Sequence, residues 1–240
     1  MRLSKRIYAI VNAVSAGETV ADIGTDHGYV PMLLVKNGIS PYAIMADISP
    51  DSLAKAIDTF RQCAIPCEEN QFRVGDGLQC IDAGEVDDII IAGLGGYTLI
   101  DILSADQDKS RSFKKFILQP RKHSGSLRHY LYTNGYDITA EALAPEGKFI
   151  CEIITAVPSD CTSRQEPYSE GDIRWKYPES LVECDYNLLE KRIGWKLHSI
   201  DTEITNLGLS RADVVDQIKQ LESDKDYLEQ LIAACKSRNS

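Results

Sequence analysis

The 240-residue chain reads as an α/β protein: a doubly wound, mostly parallel sheet that ends in an antiparallel hairpin, followed by a separate helical pair. Three observations predict this. Apolar β-rich runs alternate with helical patterns between residues 19 and 133, as in a parallel sheet covered on both faces. Two extended runs then follow one another with no helix between them. Beyond residue 180 the apolar positions recur at three-and-four spacing, as in a coiled coil.

The first helix gathers Leu3, Ile7, Ile10, Val11 and Val14 on one face. Arg2, Lys5 and Arg6 ahead of an apolar stretch also suit an export signal, but Asn12 interrupts the stretch and the helical spacing favours a buried face. Strands are expected at 19–24, 42–48, 72–74, 88–92 and 115–119; the isoleucine run within 88–92 suits a central strand. Helices are expected at 29–37, closed by Gly38, and at 49–63, opened by Ser49-Pro50. Two more fall at 98–103 and 126–133, the latter ended by Asn134-Gly135. The hairpin strands are 136–143 and 148–157, joined through Ala144-Pro-Glu-Gly147. Residues 158–179, polar and carrying Pro158, Pro167 and Pro178, form a linker or crossing segment.

Leu181, Leu188, Ile193, Leu197, Ile200, Ile204 and Leu207 then make one stripe, which Val214, Ile218, Leu221, Leu228 and Ile232 resume after a Gly208-Leu-Ser210 turn with Ser210 as N-cap. So short a connection folds two long helices back as an antiparallel pair, loosest where Lys225 takes a seam position. The organisation is a domain over 1–157, a linker over 158–179 and a helical arm over 180–236.

Net charge is −10, spread over both parts, so the chain is no general polyanion binder and any nucleic-acid partner needs a local basic surface. Seven scattered cysteines favour free thiols in a reducing cytoplasm. Cys63 and Cys67 lack a second pair or a nearby histidine, so no metal is expected. No apolar run approaches the ~20 residues of a membrane span, and no membrane is expected.

The stretch Val20-Ala-Asp-Ile-Gly-Thr-Asp-His-Gly-Tyr29 has the strand–glycine–helix layout of a nucleotide loop, yet Asp26 and His27 stand where pyrophosphate would approach. Four groups of residues should meet beyond the carboxyl ends of the strands. They are Asp22, Gly24, Thr25, Asp26, His27 and Gly28; Asp47, Ile48 and Ser49; Asp76, Gly77 and Leu78; and Ala92, Gly93, Leu94 and Gly95. Asp47 suits two ribose hydroxyls, Asp76 an exocyclic amine and Leu78 a purine face, while the glycines after the fourth strand offer bare backbone. S-adenosylmethionine carries a sulfonium, an ammonium and a carboxylate, and no phosphate. Asp22 and Asp26 favour its positive end and repel a dinucleotide, and a helix N-terminus can take its carboxylate. The terminal hairpin agrees, giving a Rossmann-like, class I methyltransferase with S-adenosylmethionine as cofactor. Enzymes that methylate exocyclic amines place Asn/Asp-Pro-Pro-aromatic after the fourth strand. Gly93-Leu-Gly-Gly96 offers no such acceptors, which favours a ring nitrogen.

Leu3-Ser-Lys-Arg6, Ala21-Asp-Ile-Gly-Thr-Asp-His-Gly-Tyr-Val-Pro31, Ala46-Asp-Ile48, Gly75-Asp-Gly-Leu78, Ala92-Gly-Leu-Gly-Gly96, Leu118-Gln-Pro120 and Gly147-Lys-Phe149 resemble the bacterial TrmK-type tRNA methyltransferases. The resemblance covers about residues 1–157 and implies methylation of N1 of adenine 22 in tRNA, with a helical C-terminal arm. Departures mark a divergent member: Arg121 replaces the family's usual asparagine, Leu94 its methionine, and Trp175-Lys-Tyr-Pro-Glu179 stands where the family has Gly-Pro-Leu.

Lys109, Arg111, Lys114, Lys115, Arg121, Lys122 and Arg128, with His123 and no acid among them, would supply the RNA surface, joined by Lys5 and Arg6 and by Gly96 at the rim. A flipped adenine presents N1 in line with the methyl group. Asp26 answers the charge that develops or accepts an N6 proton, Tyr29 stacks on the base, and Gln119 and Arg121 hydrogen-bond it from the opposite wall. His27 is either a proton acceptor or a packed cap. The chain is expected to act as a monomer or weak homodimer. Two other readings stay open at this level: a small-molecule or protein methyltransferase whose arm dimerises, and a non-catalytic module that keeps the cofactor pocket.

Overall fold

The computed structural model describes residues 3–161, 164–209 and 214–238. Its centre is a seven-stranded sheet in the order β3-β2-β1-β4-β5-β7-β6. β1 (Val20–Ile23), β2 (Ala43–Asp47), β3 (Phe72–Val74), β4 (Asp88–Leu94) and β5 (Lys115–Pro120) are parallel, whereas β7 (Phe149–Pro158) runs antiparallel to both β5 and β6 (Tyr136–Glu146). Every residue of β1 and β2 is buried, because helices cover both faces, and this is why those strands read as unbroken apolar runs.

Side-chain alternation divides the sheet between two cores. Ile90 packs with Ile10, Leu34 and Phe60 from α1 (Lys5–Asn12), α2 (Tyr29–Lys36) and α3 (Pro50–Gln62). Its neighbours Ile89 and Ile91 turn the other way, onto Leu99, Leu103, Leu127 and Leu131 of α4 (Gly96–Ser104) and α6 (Ser124–Thr133). β1 pairs with β2 on one side and β4 on the other, so the chain reverses its direction of build there. The loops after β1 and β4 part at that point, and open sheets of this kind bind ligands in such a crevice.

Several boundaries differ from the sequence reading. α4 starts at Gly96 and α6 at Ser124, each two residues early, and α5 (Gln107–Arg111) was not anticipated. The hairpin turn is only Gly147-Lys148: Ala144, Pro145 and Glu146 are paired strand residues. Pro145 is tolerated because β6 is the outermost strand, where a missing N–H breaks no inner ladder. Gly147 supplies the positive φ, +58°, that a two-residue hairpin loop requires.

Residues 164–179 pack across α6 rather than hang free. α7 (Ile173–Lys176) buries Trp175 against His129, Tyr132 and Tyr168, and Asp172 caps it by accepting from the Arg174 amide. The arm is α8 (Tyr186–Gly208) and α9 (Val215–Arg238). Lys225 meets Asp201 at 2.7 Å and the Cys235 thiol donates to the Cys184 carbonyl, so the two helices run antiparallel. Leu189, Ile193 and Ile200 face Leu228, Leu231 and Cys235, while Ile232 is only partly covered. Lys225 keeps its seam position by ion pairing across the helices rather than by packing. Arg2 and the Ser210 cap lie outside the described residues.

Four buried charges fasten the arm to the sheet. Arg128 of α6, 1% exposed, donates to Glu141 and Glu152 of the hairpin at 2.7 and 2.6 Å, and to the Trp175 carbonyl. Arg192 of α8 donates to the other Glu152 oxygen at 2.5 Å. Removing one member of such a set leaves a buried charge unmatched, at a cost of about 3–5 kcal/mol. Burial raises the glutamate and the two guanidiniums lower it; the guanidiniums win, and Glu152 stays ionised below its ordinary range.

Candidate active site

Two clefts open along the carboxyl rim and share Gly24 and Leu94. The first, about 710 Å³, is lined by Asp47, Ile48, Asp76, Gly77 and Leu78 and by Thr98 and Ile102 of α4. The second, about 530 Å³, holds Asp22, Thr25, Asp26, His27, Tyr29, Ala92 and Gly93, with Arg6 of α1 and Arg121 opposite.

The β1 loop owes its shape to backbone bonds. The Gly24 and Thr25 amides both donate to the Ala46 carbonyl, at 2.8 and 3.1 Å, and this turn needs the positive φ of Gly24, +74°. Asp47 ends β2 and accepts from the Asp26 amide at 3.2 Å and the Ser49 amide at 2.9 Å, one on each oxygen. That fixes its carboxylate and leaves lone pairs for further donors. Ile48 beside it is 69% exposed and gives the cleft an apolar face.

Asp22 lies deeper. It is buried and accepts from the Thr25 hydroxyl at 2.7 Å. Burial pushes its pKa up to about 6, against the Thr25 bond, and the neighbouring Asp47 charge adds to the rise. Asp26 is exposed, with Lys55 at 2.9 Å and His27 at 3.8 Å from its two oxygens. His27 stacks on Tyr29, ring centroids 5.1 Å apart and planes within 3°, so two flat rings form one wall.

Several expected site residues do other things. Gly28 is buried because a Cβ would stand 3.0 Å from Ala56 of α3, and Ser49 caps α3 by accepting from the Ser52 amide. Gly95 is the N-cap of α4 and lines neither cleft. Gly96 is not bare backbone for a ligand: its amide donates to the Lys122 carbonyl at 2.8 Å, and a Cβ would meet the His123 oxygen at 2.4 Å. Gln119, 1% exposed, accepts from Arg6 Nη1 at 3.1 Å and donates to the Pro120 carbonyl at 3.0 Å. It therefore holds Arg6, whose Nε also stands 2.6 Å from Glu146, and does not reach into the cleft.

The basic run of 109–128 is no single surface. Lys109 lines the first cleft and donates to the Leu78 carbonyl. Arg111 donates to the carbonyls of Asn134, Gly135 and Ser159 behind α6. Lys114 and Lys115 sit at the opposite rim on Asp87, Glu18 and Asp88, and Arg128 is buried as above. Of this run, Lys109 and Arg121 line the two clefts, and Lys122 and His123 line a groove beside the second. Lys5 is exposed beside Arg6. The sequence reading missed Thr98 and Ile102, whose spacing on the helix after the glycine patch was a usable signal. It also missed Glu146, which reaches the site across the hairpin with no local signal.

The reversed β7 and the acid-lined crevice at the switch point define a methyltransferase of the Rossmann-like class. A family model described as a methyltransferase domain matches residues 3–154. The tRNA (adenine(22)-N(1))-methyltransferase of Bacillus subtilis is 33% identical over 160 residues, 67% of each chain. The crystal structure of the B. subtilis m1A22 tRNA methyltransferase TrmK superposes with a TM-score of 0.78 at 26% identity, covering 96% of this chain and 99% of that one. A Listeria monocytogenes protein of undescribed function gives 0.80 at 26% identity, over 96% and 100%. The chain belongs to the TrmK-type family of tRNA adenine-N1 methyltransferases.

Proposed function

We propose that this chain transfers a methyl group from S-adenosylmethionine to N1 of an adenine in tRNA, adenine 22 by its family. The observation that carries the reading is the pair of buried carboxylates, Asp22 and Asp47, facing open clefts with no lysine or arginine hydrogen-bonded to either among the described residues.

The residues present fit the cofactor. Asp47 has acceptor capacity for ribose hydroxyls, Ile48 and Leu78 offer apolar faces to a purine, and a cation beside Asp22 would relieve the strain that raises its pKa. When bound, S-adenosylmethionine supplies a methyl group already activated by its positive sulfur. What remains for the protein is positioning and charge. The His27–Tyr29 stack can hold an extruded base flat. Arg121, opposite it, can donate to the ring, and Arg6 is clamped between Gln119 and Glu146 as the fixed part of that wall. As N1 gains the methyl group the adenine ring becomes positive, and Asp26, held by Lys55, faces it as counter-charge. Gly93 to Gly96 supply no side-chain acceptor for an exocyclic amine, so N6 is not the target.

Labelled S-adenosylmethionine incubated with bulk tRNA, followed by nucleoside analysis, tests this. Label in N1-methyladenosine is expected. Label in N6-methyladenosine, or in no nucleoside from a protein that binds the cofactor, contradicts it.

A further inference from the structure

A groove of about 720 Å³ separates the catalytic rim from the helical arm. It is walled by the first turn of α6, the start of β7 and one face of α8. Arg192 lines it, 7% exposed and already held on three sides: its Nη2 donates to Glu152 at 2.5 Å and to the Lys176 carbonyl at 3.4 Å, and its guanidinium lies 4.4 Å from the Tyr177 ring centre. Its Nη1 makes no hydrogen bond among the described residues. A guanidinium N–H buried without an acceptor is unfavourable, so that atom lacks a partner the fold itself does not provide.

A second donor set faces the same space. The ten-residue α6 has no acid in its first turn, and its N-cap His123 makes no side-chain cap bond. Ser124, Gly125 and Ser126 of that turn line the groove, and amides at a helix N-terminus favour anions. Arg121, Lys122, Lys176 and Lys196 add positive charge. Of the acids present, Glu152 is taken by Arg128 and Arg192 and Asp172 by Arg174, which leaves the exposed Glu170 as the opposing charge. Lys176 is held below the ordinary lysine range first by desolvation and then by Arg192 and Lys196, with Glu152 opposing them in part.

We propose that this groove binds a phosphate-class anion, and specifically a phosphodiester of the RNA strand whose adenine enters the neighbouring cleft. The proposal rests on the RNA reading above. Arg121 lines both the groove and the base-side cleft, so one strand can run from one to the other. Phe149, 64% exposed, and Trp195, 47% exposed, flank the groove, each with a lysine ammonium over its ring at 5.4 Å from the centre. A free phosphate has no use for such rings, whereas a nucleotide strand stacks on them.

The test is titration of an unmodified tRNA transcript against salt, for the wild type, Lys176→Ala, Lys196→Glu and Arg192→Met, with inorganic phosphate as a separate probe by thermal shift. Each variant is expected to weaken tRNA binding and to lower the slope of log K against log salt by about one, the signature of one lost phosphate contact, while adenosylhomocysteine affinity holds. Arg192→Met also takes one of its two guanidiniums from Glu152; if it fails to fold, the two lysine variants decide. A wild type that methylates tRNA while both lysine variants keep its slope overturns the groove and spares the function. Protection by inorganic phosphate that Lys196→Glu removes, with the tRNA slope unchanged, overturns the phosphodiester assignment. A wild type that takes up no tRNA overturns both readings.

Discussion

The two rims of the sheet carry acids of the same kind in opposite circumstances. At the amino rim, Asp87 accepts from the Thr19 amide and hydroxyl, each at 2.9 Å, and pairs with Lys114 at 2.6 Å; Glu18 and Asp88 share Lys115. At the carboxyl rim, Asp22 has a hydroxyl and Asp47 two backbone amides, with no lysine or arginine hydrogen-bonded to either among the described residues. The first rim is neutralised by the fold; the second is left for something to neutralise. A raised carboxyl alone does not mark a site. Burial pushes Asp88 up to about 7, yet it lines neither cleft. An unmatched acid facing an open crevice is the distinguishing feature.

The contrast breaks most sharply under Asp47→Ala. Losing charge-assisted bonds worth about 1.5–3 kcal/mol each should weaken adenosylhomocysteine binding at least about tenfold in calorimetry. Next comes pH. Asp22 has a folded pKa of about 6, above the unfolded value near 3.8, so the unliganded fold loses stability as pH rises between the two and Asp22 ionises. A cation prefers the ionised form, so S-adenosylmethionine should bind more weakly as pH falls below 6, by up to about tenfold per unit. Asp22→Asn should flatten that profile. At the other rim the sign reverses: Asp87 is lowered to about 2, first by Lys114, so its stabilisation is present above 3.8 and lost as pH falls toward 2. Asp87→Asn should accordingly lower the melting temperature at neutral pH and leave cofactor affinity unchanged. The smallest effect expected is that of Lys55→Ala. It frees an exposed Asp26 and should lower kcat slightly without moving the cofactor Kd.

The sheet was legible because burial on both faces writes itself as apolar runs, and the reversed last strand because no helix intervenes between 136 and 157. The hairpin turn was misplaced because Pro145 signals a turn except on an edge strand, and edge position is a property of the whole sheet. The acids of the site were legible because each lies at or just past the carboxyl end of a strand. The basic surface was not. β5 is six residues long and spans roughly 20 Å, so Lys114 and Arg121, close in sequence, land on opposite rims. Arg128 looks like a surface charge until the hairpin brings Glu141 and Glu152 to it from outside its own helix.

The most direct test of the account is isothermal titration with S-adenosylmethionine at pH 5 and pH 7.5, for the wild type, Asp47→Ala and Asp87→Asn. The account predicts binding that strengthens with pH, collapses in Asp47→Ala and survives in Asp87→Asn. No heat from the wild type, or equal affinities for the two variants, would contradict it.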